Sequence, residues 1–201
     1  MTFGTYPSVA PADTTDAVSD SYKGQGIRWL VLSVDQENKR ALVISEKVLF
    51  CMRQYTNATT SNNTTYTYKW SDSDINTYLN GDFITDYGLG DVSMANVEHE
   101  TETYTFADSS SSGVAGTATT SSEKVFLLSI AEANTYFADK TERKAYPLTG
   151  TGTTAKYWWL RSQAYGNSYR GAAVGSSGTI DRYGQKIESS IGVRPAFWVN
   201  L

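Results

Sequence analysis

Residues able to do acid–base, nucleophilic or metal chemistry are few in this chain. His99 is the only histidine and Cys51 the only cysteine. A Ser-His-Asp triad would have to use His99, and no nucleophile turn stands near it. Cys51 lies between Phe50 and Met52, the setting of a small buried hydrophobe rather than of a thiolate. A single cysteine also excludes an intrachain disulfide and any multi-cysteine metal site. Asp72, Asp74, Asp82, Asp86 and Asp91 could supply oxygen ligands to calcium. Asp72 and Asp74 are better explained as residues favoured at a helix start. There is no Gly-rich phosphate loop. We therefore expect no catalytic residues, no metal and no cofactor.

Recognition chemistry is concentrated near the C-terminus. Between Tyr157-Trp158-Trp159-Leu160-Arg161-Ser162 and Gly192-Val193-Arg194-Pro195-Ala196-Phe197-Trp198-Val199 lies a run rich in Gly, Ser, Tyr, Asn and Arg. Gln163, Tyr165, Asn167, Tyr169, Arg170, Ser176, Asp181, Arg182 and Tyr183 are the candidate ligand contacts. Paratopes use the same types, rigid aromatic anchors beside adaptable hydrogen bonders. The plain alternative for them is a solvated loop. Trp158, Trp159 and Trp198 could form a sugar-stacking platform, but aromatic residues in apolar strands belong to the core. Trp29 joins them as framework. Arg161 and Arg194 could grip an anion. Beside core Trp and Pro they are expected to be structural, each paired with a buried acid or with carbonyls.

Elements must hold this run in place. Ile27–Val34 is predicted as a strand apolar on both faces and so central, and Ala41–Ser45 as its hairpin partner. Residues 8–26 and 55–68 read as loops. Ser71, with Asp74 three residues on, predicts a helix start, Ile75, Tyr78 and Leu79 its apolar face, and Gly81 its end. Residues 85–100 give no clear pattern, and 101–122 read as a long loop or insertion. Lys124–Leu128 is a predicted strand. Ser129 and Glu132 form a capping box opening a second short helix, which ends near Asp139. Residues 140–156 read as loop. Then come short strands at Ala172–Val174, Thr179–Tyr183 and Lys186–Glu188, with turns at 175–178 and 184–185, and a closing strand Val193–Val199. This is an α+β pattern, an antiparallel sheet with two short flanking helices and long loops, in one domain spanning residues 1–201.

Composition excludes some partners. The 201 residues include 14 Tyr, 5 Trp and 7 Phe, and the net charge is −4. Phosphate binding needs clustered Lys and Arg, so nucleic acid is not an expected partner. No stretch has the roughly 20 apolar residues of a membrane helix. Residues 1–4 show no basic and then apolar segment of the signal-peptide kind, which leaves a phage particle, or the cell surface by another route, as a location.

Six segments occur in an order that carries a resemblance: Phe3-Gly4-Thr5-Tyr6-Pro7, Ile27-Arg28-Trp29-Leu30-Val31-Leu32, Ala41-Leu42-Val43-Ile44-Ser45, Lys124-Val125-Phe126-Leu127-Leu128-Ser129, Trp158-Trp159-Leu160-Arg161-Ser162 and Gly192-Val193-Arg194-Pro195-Ala196. Together the set resembles a family of bacterial and phage-borne domains with a C-type-lectin-like fold, related to that of the formylglycine-generating enzymes. The resemblance implies that the two termini pair in one sheet, that helices flank it, and that a loop-rich face near the C-terminal half binds a ligand, protein or glycan. Some members of this fold are variable proteins of diversity-generating retroelements, whose C-terminal segment is rewritten at adenine-rich codons. Residues 158–201 are similar to such a cassette, although Gln163, Gln185 and Lys186 do not fit that origin and would be template-fixed. The chain departs from the enzymes in lacking their cysteine pair. It also lacks the Glu-Pro-Asn or Gln-Pro-Asp and Trp-Asn-Asp triplets of calcium-dependent lectins. A non-catalytic binder is therefore the leading expectation. A structural or adhesive module of fixed specificity, and an enzyme using carboxylates on the same face, are the alternatives.

Overall fold

Val, Ile, Leu and aromatic residues cluster at 26–35, 40–45, 158–163 and 191–200, and each cluster is drawn into strand by the apolar surface it buries. The structure is a computed structural model that describes residues 1–7, 22–55, 68–101, 104–105, 114–115, 119–148, 154–165 and 169–201. The expected loops at 8–26, 55–68 and 101–122 fall partly outside these residues. In chain order the strands are β1 (Thr2–Thr5), β2 (Gly26–Asp35), β3 (Arg40–Ser45), β4 (Phe50–Met52), β5 (Val97–Thr101), β6 (Tyr104–Thr105), β7 (Val114–Ala115), β8 (Thr119–Glu123), β9 (Val125–Phe126), β10 (Trp158–Gln163), β11 (Arg170–Val174), β12 (Ile180–Lys186), β13 (Ile191–Val193) and β14 (Ala196–Asn200). The helices are short: α1 (Asp74–Leu79), α2 (Asp82–Asp86), α3 (Ile130–Tyr136) and α4 (Lys140–Arg143).

Two five-stranded sheets carry the molecule, ordered β1-β2-β3-β14-β9 and β12-β11-β10-β13-β4. Pairing is antiparallel except between β10 and β13, which run parallel at Trp158 and Gly192. The first and last strands share the first sheet but do not pair as the resemblance implied, because β2 and β3 lie between them. The expected closing strand 193–199 is instead two strands in different sheets. β13 ends at Val193, and the chain crosses at Arg194-Pro195 into β14.

Arg194 holds this crossing. It is fully buried, and its Nε and Nη2 donate to the Ser45 carbonyl at 3.0 and 2.9 Å. Its guanidinium lies 4.9 Å from the Trp158 ring centre and 5.6 Å from that of Phe137. Burial pulls its pKa down to about 9, which still leaves it charged at neutral pH. Ser45 N donates in turn to Pro195 O at 3.0 Å.

Several expectations need correction. The strand at 27–34 is apolar on both faces but buries only part of them. Ile27 and Trp29 are buried, while Leu30, Val31 and Val34 are 39%, 44% and 47% exposed. A nearly continuous apolar run therefore did not mark a strand covered on both sides. The first helix starts later than Ser71, because Trp70–Asp72 make a 3-10 turn. Ser73 is its cap, its Oγ accepting from Asn76 N at 3.1 Å. Gly81 does not end the helical region but opens α2, and Asn80 closes α1. The Asn80 side chain pairs like a peptide group with β9, donating to Val125 O at 2.8 Å and accepting from Val125 N at 3.1 Å. The capping box at Ser129 and Glu132 is present as read. The expected loop at 140–156 contains α4, with Asp139 as its cap. The expected insertion at 101–122 contains, in its described part, an antiparallel arm in which β5 pairs with β8 and β6 with β7. Trp198, expected in the core, is only half-buried, with the Arg40 guanidinium 4.6 Å from its ring centre.

Candidate functional site

The C-terminal run is mounted on β10, a central strand of the second sheet in which every residue is buried. Trp158 donates to Arg143 O at 3.0 Å and Trp159 to Met52 O at 2.9 Å, so both indoles are satisfied framework. Arg161 is framework as well. Its Nη1 donates to Leu127 O at 2.7 Å and forms an ion pair with Glu132. β11 lies beside β10, and β12 is the edge strand outside it.

β12 is one strand, not the two strands and turn expected at 179–188. The Gly184 that reads as a turn is the centre of a bulge. Gly171 pairs with Gln185 and Ala173 with Asp181, so the single residue Ala172 faces the three residues 182–184. Such an irregularity bends the strand and re-aims side chains. Successive residues of a regular strand point to opposite faces, yet Arg182 and Tyr183 are both exposed. Gly184 has φ +68°, and a Cβ there would lie 2.3 Å from the Gly171 carbonyl oxygen. Glycine is therefore required on two counts.

Three side chains lock the bulge. Asp181 accepts from Gly184 N at 3.0 Å through Oδ1 and from Gln185 Nε2 at 2.8 Å through Oδ2. Arg170 Nη1 donates to Gly184 O at 2.8 Å. Asp181 and Arg170, expected as ligand contacts, thus spend their polar groups on the scaffold. Gln185, not among the candidates, does the same.

The bulge leaves a small cluster at the surface, in which Arg182 and Tyr183 are exposed and Tyr165 is half-buried. Tyr165 N donates to Arg182 O at 2.7 Å, which brings the loop after β10 across to β12. The Arg182 guanidinium then lies 5.8 Å from the Tyr165 ring centre and 5.2 Å from that of Tyr183, which is 54% exposed. Arg182 makes no ion pair among the described residues. Tyr165, Arg182 and Tyr183 are the candidates the fold does bring together.

The remaining candidates lie elsewhere. Gln163 is 3% exposed within β10, which corrects its reading as a surface contact. Its polarity suggested exposure, but its strand is covered on both faces. Tyr169 packs with Tyr55, Tyr68 and Ile187 in a second, small apolar cluster. Ser176 is exposed in the turn after β11, where Arg143 Nε holds the turn by donating to Gly178 O at 2.9 Å. Asn167 lies outside the described residues.

Two other polar regions were not anticipated. A groove of about 370 Å³ between α1, α2 and the base of the β5–β8 arm is lined by Asn76, Thr77, Asn80, Asn96, Ser122 and Lys124 among others. Its Asn80 already serves the frame through β9, and Asn96 Nδ2 donates to Ser122 Oγ at 2.7 Å. Beneath the arm, Glu123 Oε1 accepts from Trp70 Nε1 at 2.5 Å and from Ser121 Oγ at 3.1 Å. His99 is buried with its ring centre 4.0 Å from that of Phe126. Burial, then the charge of Arg161, lowers the His99 pKa to about 4. Burial raises that of Glu123 against its hydrogen bonds. The acids considered for calcium are dispersed: Asp72 neighbours Lys69 at 4.0 Å, and Asp86 accepts from Tyr78 Oη at 3.0 Å. Among the described residues no three His, Cys, Asp or Glu are grouped to hold a metal ion. No helix among them is long and apolar enough to cross a membrane.

Comparison with known proteins yields one family. The chain belongs to DUF6273, a domain of unknown function, whose model matches residues 38–201. No curated protein and no solved structure matches it.

Proposed function

We propose that this DUF6273 domain is a non-catalytic binding protein that presents its ligand face on a C-type-lectin-like scaffold. The observation that carries the reading is the Tyr165–Arg182–Tyr183 cluster, with Arg182 and Tyr183 exposed and Tyr165 half-buried, raised by a glycine-dependent bulge and backed by fully buried β10. A rigid backing keeps the ordering cost of such a face low, which is how preorganised sites gain affinity. The antiparallel sheets, and the placement of both ends of the chain in one sheet, support the lectin-like scaffold.

Diversification by a retroelement is the second half of the proposal. Gln163, Gln185 and Lys186 do not fit an adenine-directed origin; the first is buried and the second braces the bulge, while Lys186 is exposed beside Glu188 and departs from the division. That division between constant framework and exposed Tyr and Arg is the one a rewritten cassette needs. The test is to sequence the DNA flanking the gene in several isolates. A near-identical second copy of the segment encoding residues 158–201 is expected, differing only at adenines and lying near a reverse transcriptase. The differences should include the codons for Tyr165 and Tyr183 and spare those for Trp158, Trp159 and Arg194. Absence of that copy would end the diversification reading and leave a binder of fixed specificity.

A further inference from the structure

Among the candidate contacts Arg182 is the exposed cation, and no acid or backbone carbonyl of the described residues accepts from its side chain. Arg170 is spent on the Gly184 carbonyl, and Asp181 on Gly184 N and Gln185. Lys186 lies 3.6 Å from Glu188. Arg182 offers its guanidinium fork with one long hydrogen bond, 3.4 Å from Nη2 to Tyr183 Oη, and two phenol rings near it, their centres at 5.8 and 5.2 Å. A guanidinium presents five N–H donors in a plane that matches a carboxylate in bidentate fashion. Nearby rings add flat apolar area and partly exclude water, which strengthens such a pair.

From this we infer that the ligand face takes an acidic segment of a protein partner, with an Asp or Glu carboxylate seated on Arg182 and the adjoining chain lying on Tyr165 and Tyr183. The inference rests on the binding reading given above. A polyanion fits less well. A single guanidinium cannot neutralise a row of phosphates or sulfates.

The experiment is to pan a random peptide library displayed on phage against the purified chain. The same library is panned on Arg182→Ala, Arg182→Glu, Tyr165→Ala and Tyr183→Ala, after thermal melts show that each variant folds as the parent does. Peptides enriched on the parent should share an Asp or Glu. Its replacement by Asn or Gln should weaken binding at least tenfold, as should Arg182→Ala, and the affinity should fall as salt rises from 50 to 500 mM. Arg182→Glu should select Lys- or Arg-bearing peptides instead. Enriched peptides that need Tyr183 but carry no shared acid would overturn the inference and leave the binding reading standing. So would displacement of the peptides by an oligodeoxynucleotide or by heparin at lower concentration than by free acidic peptide. Enriched peptides indifferent to all four substitutions, or no enrichment over the naive library, would count against both.

Discussion

His99 sits where its charge would be opposed. Its ring packs on Phe126, and the guanidinium of Arg161 lies 5.7 Å from the centre of that same ring. Burial and Arg161 together keep the imidazole neutral, with its pKa lowered from 6.5 to about 4. Glu132 opposes that shift. A lowered folded-state pKa means that the unfolded chain takes up the proton first. The stabilisation is therefore complete above pH 6.5 and is lost as pH falls towards 4. The loss is on the order of 3 kcal/mol at most. Glu123, with its pKa raised, works in the opposite sense, because its protonated form is favoured in the fold. The two are separated by His99→Phe, which should flatten the fall in stability between pH 6.5 and 4 while leaving the Glu123 contribution. Urea midpoints of parent and variant across that range check this, and parallel curves for the two proteins would show that His99 is not the group responsible. At this scale the sequence was partly legible. Cys51 as a buried hydrophobe, Arg161 as an acid- and carbonyl-bound cation and Trp158 and Trp159 as core follow from side-chain type beside apolar neighbours. Gln163 was not legible, because an amide gives no sign that the strand carrying it is central.

Elements were most legible where local chemistry decides them. The Ser129–Glu132 capping box is such a case, since both hydrogen bonds form within four residues. They were least legible where distant pairing decides. Thr119–Glu123 has no apolar period, yet it pairs along its whole length with Val97–Thr101 and turns His99, Ser121 and Glu123 to one side. The β12 bulge is the other failure, since a glycine between polar residues reads the same in a turn and in an irregular strand. The bulge also gives a test at the element scale. Gly184→Ala places a methyl group against the Gly171 carbonyl at positive φ. It should cost about 1–3 kcal/mol. It should also disperse the Tyr165–Arg182–Tyr183 cluster, so peptide binding should fall even well below the melting temperature. A measured affinity equal to the parent's would show that the cluster does not depend on the bulge.

At the scale of the molecule the chain passes between the two sheets by two short crossings, residues 46–49 between β3 and β4 and residues 194–195 between β13 and β14. Arg194 bonds β3 at Ser45 from the junction of β13 and β14, and its charge lies over Trp158 of β10. Arg194→Met keeps much of the volume but leaves the buried Ser45 carbonyl without these two donors. It should lower stability by about 2–4 kcal/mol, seen as a lower denaturant midpoint with an unchanged slope. A changed slope would mean that the sheets come apart separately. That both sheets meet at Gly192–Ala196 was half legible: the segment stood out as apolar and ordered, but nothing in its composition shows a change of sheet.

The position of β14 has a consequence for biosynthesis. It pairs with β3 on one side and β9 on the other, so one interior strand of the first sheet is translated after all the other strands of that sheet. Until residue 200 has cleared the ribosome, β3 offers an open edge rich in Ala, Leu, Val and Ile, and β9 has no neighbour strand in its sheet. Exposed edges of this kind invite pairing with other chains. Nascent chains stalled short of residue 196 should therefore be held by chaperones and open to proteases, and should become resistant once β14 is free to pair.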